Sequence, residues 1–225
     1  MELHEGNVVF KAGNQSYKAF LARPEGPGPF AALIVIQEIF GLTEHIRNVA
    51  RRLARAGYAA LAVDLFSAGF GPLCVFKAIQ DMAGETTDHA NTRALQAGLD
   101  YLAAQPYTDA SRLGAIGFCL GGNFAIALAD RDKRIKVIAP FYGTMPRLRD
   151  AGTLCPVVGS FPQLDYTAAH ARKLDAALTQ AEIPHDIKIY PRAMHSFANE
   201  QLPLYRPDDA ADAWARTLAF FAEHL

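Results

Sequence analysis

The sequence has little of what marks the specialised protein classes. It holds three cysteines, Cys74, Cys119 and Cys155, widely separated and odd in number. That pattern fits neither a disulfide scaffold nor a zinc site, so they read as free thiols of a reducing compartment. No apolar run approaches the roughly 20 residues of a membrane-spanning helix. The opening Met1-Glu2-Leu3-His4-Glu5 lacks the basic stretch and apolar core of a signal peptide. Neither sign of charge dominates: 22 Lys and Arg stand against 23 Asp and Glu, a formal net charge of −1. Nothing electrostatic therefore draws the chain to nucleic acid or an anionic membrane. The group Arg47, Arg51, Arg52 and Arg55 has helical spacing and reads as a solvated helix face. The expectation is a cytoplasmic protein, with a monomer as the simplest state.

What is present is a globular pattern: 51% hydrophobic residues over 225 positions, enough for one full core in a single domain spanning 1–225. Strand-like runs at Val8–Phe10 and Tyr17–Ala22 flank Gly13-Asn14, a hairpin signal. Residues 31–36 are continuously apolar, as in a strand buried on both faces. A helix is predicted from Thr43, its N-cap, to Ala56, with Gly57 as the stop. Thereafter strands at 58–63, 113–118, 135–142, 157–161 and 186–190 alternate with helices at 88–104, 121–129, 167–181 and 208–222. Alternation of this kind means a mostly parallel sheet with helices on both faces. Ser67–Thr87 fits no element clearly and is expected to lie over the site or form a short helical cover.

The strand at 113–118 runs into Gly117-Phe118-Cys119-Leu120-Gly121-Gly122 and then a helix. A nucleophile on a sharp strand-to-helix turn needs small flanking residues, and the helix start offers N–H donors and a positive dipole end to an oxyanion or thiolate. A free thiol, of pKa about 8.5, needs such help at neutral pH. By itself the pattern is equally met by a structural cysteine beside a glycine-rich helix start. Cys74 and Cys155 lack this setting and read as packing residues.

A cysteine nucleophile needs a base, and the base an orienting group. In this strand–turn–helix fold the order along the chain is nucleophile, acid, histidine. Asp165 follows a strand and precedes a helix, although it also suits a helix cap. Asp175 lies inside a helix, Asp186 opens a strand at the opposite edge, and Asp64 precedes the nucleophile. His195 lies in the loop after the strand at 186–190, third in order. His170, His185 and His224 read as surface residues, while His4, His45 and His89 come before the nucleophile. A lone loop histidine carries little weight; three residues at the right strand ends in the right order carry much more. Phe40, Phe66, Tyr142, Phe161 and Phe197 lie near strand ends, where they would line an apolar pocket or simply pack the loops.

With these residues placed, the chain resembles the dienelactone hydrolase family of α/β-hydrolases from about Val8 to Leu225. Gln37-Glu38-Ile39-Phe40-Gly41, Gly117–Gly122 and Met194-His195-Ser196-Phe197-Ala198 carry the resemblance. It implies an α/β-hydrolase fold and a triad of Cys119, His195 and Asp165. It also implies that Glu38 touches the resting cysteine and helps make the thiolate, and that the N–H groups of Leu120 and Ile39 form the oxyanion hole. The residue after the nucleophile and a donor from an early strand's loop are what the fold's chemistry asks for. The residues alone say less of Glu38, which equally suits a carboxylate bound to loop N–H groups.

Two departures bear on the substrate. Relatives acting on dienelactone hold its carboxylate with arginines, one of them where this chain has Asn199; the other falls in a region with no arginine between Arg55 and Arg93. Arg206 is close in sequence, but no motif places it in the pocket. The approach to the acid is Phe161-Pro162-Gln163-Leu164 instead of a glycine-rich segment. The resulting expectation is hydrolysis of a small ester or lactone through an acyl-cysteine, with no metal or organic cofactor. Its rivals are a small carboxylesterase for uncharged esters and a non-catalytic relative with Cys119 as a redox sensor.

Overall fold

In the computed structural model, residues 2–84 and 86–225 are described. Met1, part of the N-terminal reading, and Glu85, inside the unassigned 67–87 segment, lie outside the described residues. Eight strands form one sheet: β1 (Leu3–Ala12), β2 (Gln15–Pro24), β3 (Phe30–Ile36), β4 (Ala59–Asp64), β5 (Thr108–Phe118), β6 (Ile135–Phe141), β7 (Val157–Pro162) and β8 (His185–Tyr190). Their spatial order is β1-β2-β4-β3-β5-β6-β7-β8. The predicted hairpin is present as the antiparallel β1–β2 pair, β2 is also antiparallel to β4, and every later pairing is parallel.

Six α-helices cover the sheet: α1 (Glu44–Arg55), α2 (Gly71–Ala83), α3 (Ala90–Ala103), α4 (Leu120–Arg131), α5 (Thr167–Gln180) and α6 (Pro207–His224). Alternate residues of the central strands feed two cores. Leu33, Val35 and Ile116 pack with α1 and α6 on one face, whereas Ile34, Ile36 and Ala115 pack with α3, α4 and α5 on the other. This is why residues 31–36 read as an unbroken apolar run: both faces of the strand are covered.

The connectivity locates a crevice. From β3 the chain steps through α1 to β4 on one side, and β5 then enters on the other side of β3. In open α/β sheets such a reversal leaves a gap outside the carboxyl ends of the two strands. Here those ends are Ile36 and Phe118, followed by Gln37-Glu38 and by Cys119.

The glycines around Cys119 let the backbone close up there. A Cβ on Gly121 would lie 2.3 Å from the Ile36 carbonyl oxygen, and one on Gly117 would lie 1.9 Å from the Gly121 carbonyl oxygen. Both obstacles are backbone, which cannot rotate away.

The stretch that fitted no clear element forms α2, a helical cover of 13 residues whose outer side shows Leu73, Phe76 and Ile79 to solvent. Lys77, Gln80 and Asp81 share one side of the helix, but exposed Leu73, Phe76 and Ile79 interleave with them and blur the amphipathic pattern. Thr43 does occupy the N-cap of α1, but its side chain makes no capping bond. The α1 arginines are not all freely solvated. Arg52 lies over the Trp214 ring at 3.9 Å, while Arg47 and Arg51 lie over Phe20, a use of the aliphatic stem and charge together. Among the described residues, no helix is long and apolar enough to cross a membrane.

Gly121→Ala is expected to destabilise the fold by about 3 kcal/mol or more, because an inserted methyl meets fixed backbone. Gly6→Ala, where a Cβ meets nothing within 4 Å, should stay within about 0.5 kcal/mol of wild type. Urea unfolding of the two variants checks this; equal midpoints would refute the close-approach account.

Candidate active site

Cys119 is the hinge between β5 and α4. Its backbone is at φ 55°, ψ −115°, a left-handed conformation rarely taken by residues other than glycine. Such geometry costs about 1–3 kcal/mol and persists where the surroundings over-determine it. Here the Cys119 N–H donates to the Phe141 carbonyl at 3.0 Å, and the Cys119 carbonyl accepts from the Gly122 N–H at 3.0 Å. Tyr142 and Ser196, also non-glycine residues with positive φ, lie in the loops on either side of the same crevice.

His195 is carried by the loop after β8, Asp165 by the loop between β7 and α5. The His195 Nδ1 lies 2.7 Å from the Asp165 Oδ2. Asp165 is acceptor-only when ionised, so Nδ1 carries the proton and Nε2 is left for another partner. Cys119 lies close enough for its charge to act on the imidazole. Burial works against a charge on His195, yet the hydrogen bonds and the negative charges of Asp165 and Cys119 outweigh it and raise the imidazole to about 10. Asp165 shows the mirror image. Burial opposes its ionisation, but the bond to His195 and the Thr167 N–H at 2.7 Å hold it below the usual carboxylate range. The Thr167 contact is a local turn just ahead of α5, whose N-cap is Tyr166, so the cap reading of Asp165 shifts by one residue. Tyr166 stacks on the imidazole at 6.0 Å and 11°, and Tyr142 meets it from another side at 5.1 Å.

Glu38 is completely buried. Hydrogen bonds to its carboxylate come from the Asn199 amide at 2.5 Å, the Ser196 hydroxyl at 3.3 Å and, more weakly, the Tyr142 hydroxyl at 3.4 Å. A buried carboxylate needs this kind of support. Asn199 is therefore committed to Glu38 and is itself buried. Arg206 is also committed: its guanidinium pairs with Asp209 at the start of α6.

The aromatic residues expected around the site separate. Tyr142 backs His195, Phe66 packs against Gly41, and Phe40 is 61% exposed on the loop that carries Ile39. Phe161 and Phe197 lie fully buried in the two cores, on opposite faces of the sheet. The other cysteines stay away: Cys74 is on α2, and desolvation pushes the Cys155 thiol up to about 12, leaving it little thiolate. Tyr166 escaped the sequence reading, which named Tyr142, Ser196 and Asn199 without their shared role as donors to Glu38. Tyr166 adjoins Asp165 and is 63% exposed, so only the stacking geometry singles it out.

A parallel sheet with an antiparallel edge, a strained turn at its switch point and a histidine–carboxylate pair above that turn are the features of an α/β-hydrolase, and the chain is a hydrolase of this fold. The comparisons narrow the class. The profile of the dienelactone hydrolase family matches residues 17–225, and the chain belongs to that family. A Yersinia pestis protein named as a carboxymethylenebutenolidase is 30% identical over 99% of this chain and 89% of its own length. A Bradyrhizobium protein named as a 2-oxo-3-(5-oxofuran-2-ylidene)propanoate lactonase is 31% identical over 97% of this chain and 94% of its own. Among solved structures, a dienelactone hydrolase-like promiscuous phosphotriesterase from metagenomic libraries superposes with a TM-score of 0.87 at 28% identity, covering 100% of this chain and 99% of the other.

The raised imidazole links stability to pH. His195 gains its proton more readily folded than unfolded, so its contribution is whole below pH 6.5 and is lost as pH rises to about 10. Urea midpoints measured across that window should fall with pH in the wild type, and the fall should flatten in Asp165→Asn. An unchanged slope in the variant would show that Asp165 does not hold the proton on His195.

Proposed function

We propose that the chain hydrolyses a small ester or lactone through an acyl-cysteine intermediate, with Cys119 as nucleophile, His195 as acid and base, and Asp165 as its orienting group. The observation that supports this most is the His195 imidazole, bonded through Nδ1 to Asp165 at 2.7 Å and near enough to Cys119, on its strained strand-to-helix turn, for the two to interact electrostatically.

The chemistry follows from where the proton sits. His195 takes the proton of the Cys119 thiol, and the thiolate attacks the substrate carbonyl carbon. The oxyanion is received by the N–H groups of Leu120 and Ile39, which belong to the start of α4 and the loop after β3. Collapse of the tetrahedral intermediate breaks the ester bond, and the imidazolium gives its proton to the leaving oxygen. Acylation removes the thiolate charge that helped raise the imidazole. His195 is then a neutral base facing the acyl-enzyme, able to take a proton from the attacking water. Asp165 holds the ring and tautomer throughout. In this reading Cys119 is deprotonated by His195, and Glu38 holds the loop bearing Ile39 against the loop bearing His195.

The arrangement of charges favours an uncharged substrate. Asn199 gives its amide to Glu38, Arg206 gives its guanidinium to Asp209, and the exposed side chains beside Ile39 and Asp165 are Phe40, Leu164 and Tyr166. A substrate carboxylate would need bidentate cation contacts that these groups do not supply. The names of the Yersinia and Bradyrhizobium relatives keep lactones within the substrate class.

Turnover of short aryl esters and neutral lactones should fall at least about 10³-fold in Cys119→Ala, as for removal of a nucleophile elsewhere. Mass spectrometry of a quenched wild-type reaction should show the acyl group on the peptide containing Cys119. Undiminished activity in Cys119→Ala would eliminate the acyl-cysteine route. A wild type inert to the whole panel but readily oxidised to a sulfenic acid would favour the redox-sensor alternative. Dienelactone should be a poorer substrate than neutral esters; parity between them would contradict the reading of Asn199.

A further inference from the structure

His45 and Glu200 form a second histidine–carboxylate pair, 155 positions apart in sequence, that chain order alone removes from consideration as part of the triad. His45 lies in the first turn of α1 and is 1% exposed. Its Nδ1 is 2.5 Å from Glu200 Oε2, and its backbone N–H donates to the Gln201 side-chain oxygen at 3.3 Å. Asn48, one turn later on α1, donates to the other Glu200 oxygen at 3.4 Å. The imidazole edge also meets the ring of Phe118, the residue before Cys119, at 5.3 Å and 80°.

The sequence positions of these contacts give them meaning. Asn199 and Glu200 are consecutive residues of the loop that carries His195. Asn199 grips Glu38, immediately before Ile39; Glu200 grips His45, six residues after it. The loop with the proposed oxyanion donor is therefore held on both sides by two adjacent residues of the histidine loop. Within the histidine loop, a hydrogen bond from the Asn199 N–H to the Ser196 carbonyl at 2.9 Å ties these anchors back to the residue next to His195.

We propose that His45 and Glu200 are positioning residues for the chemistry of Cys119: their bond sets the distance between the Ile39 N–H and the His195 ring, and the packing of His45 on Phe118 keeps Cys119 between the two. This rests on the reading of Cys119 and His195 given above. The pair itself does not touch the reacting atoms. Burial opposes ionisation of Glu200, but its hydrogen bonds and the neighbouring His45 and Asn48 hold it below the usual carboxylate range. An acceptor-only carboxylate requires the His45 Nδ1 to donate, which selects one ring orientation. A hydrophobic residue at position 45 would fill the same space without selecting any orientation.

The test compares Glu200→Ala with Glu200→Gln, which keeps an oxygen to accept from His45. In Glu200→Ala, kcat for a short aryl ester should fall by about 10- to 100-fold with little change in KM, the range that a displacement of order 1 Å costs. Glu200→Gln should recover most of the loss. A second readout needs no substrate: the rate at which iodoacetamide alkylates Cys119, followed on its peptide by mass spectrometry. That rate should drop several-fold in the alanine variant and return in the glutamine variant. Wild-type kcat and alkylation rate in Glu200→Ala would overturn the proposal, as would a glutamine variant no better than alanine, or losses that match the unfolded fraction seen by circular dichroism. If wild type proves inert to esters while the alkylation pattern holds, the hydrolytic reading fails and the pair is shown to position Cys119 alone.

Discussion

The backbone of Gly121 rests against the carbonyls of Ile36 and Gln37, so closely that any side chain would overlap them. This contact joins the end of β3 to the first turn of α4, and the rest of the site hangs from it. It brings the loop of Glu38 and Ile39 alongside Cys119 and forces the chain through the strained conformation that turns the thiol outward. Gly117 makes the same closeness possible from the other side of the turn. The strain is held by ordinary means: bonds to Phe141 and Gly122, and two cores that leave β5 no freedom to relax.

Around that turn, charge is distributed unevenly. His195 is placed between two groups that favour its protonated form, whereas Glu38 is surrounded by neutral donors from Tyr142, Ser196 and Asn199. The two buried acids thus have separate environments and separate consequences. Asp165 pairs with the imidazole, whereas the hydrogen bonds of the Glu38 carboxylate go to Tyr142, Ser196 and Asn199 and not to Cys119, the partner expected for it. Asn199 matters for this division, because an amide satisfies Glu38 without adding a positive charge to the crevice.

Most of the fold was legible because its central strands are covered twice. Continuous apolar runs bounded by glycine and helical stripes located β3, β5, β6, β7 and their helices to within a few residues. The hairpin was visible in Gly13-Asn14. The failures have physical causes. α2 exposes apolar side chains among its polar ones, so the contrast between faces that announces a helix is weak. Thr43 has the right residue type for a cap, but its hydroxyl has no bond to the helix. Phe161 and Phe197 stand near strand ends like Phe40, yet the pleat of β7 sends Phe161 into one core and the turn after β8 sends Phe197 into the other.

The sequence by itself determined the hydrolase class, the order of Cys119, Asp165 and His195, and the glycine pattern that only a strand–turn–helix junction requires. It could do so because these are local constraints: each is written in neighbouring residues or in the order of elements along the chain. The tertiary structure alone decided the partners of Glu38, the stacking of Tyr166 on His195, and the meeting of His45 with Glu200. Those contacts join residues as far as 161 positions apart. They depend on how two loops at one sheet edge face each other, which no local pattern encodes.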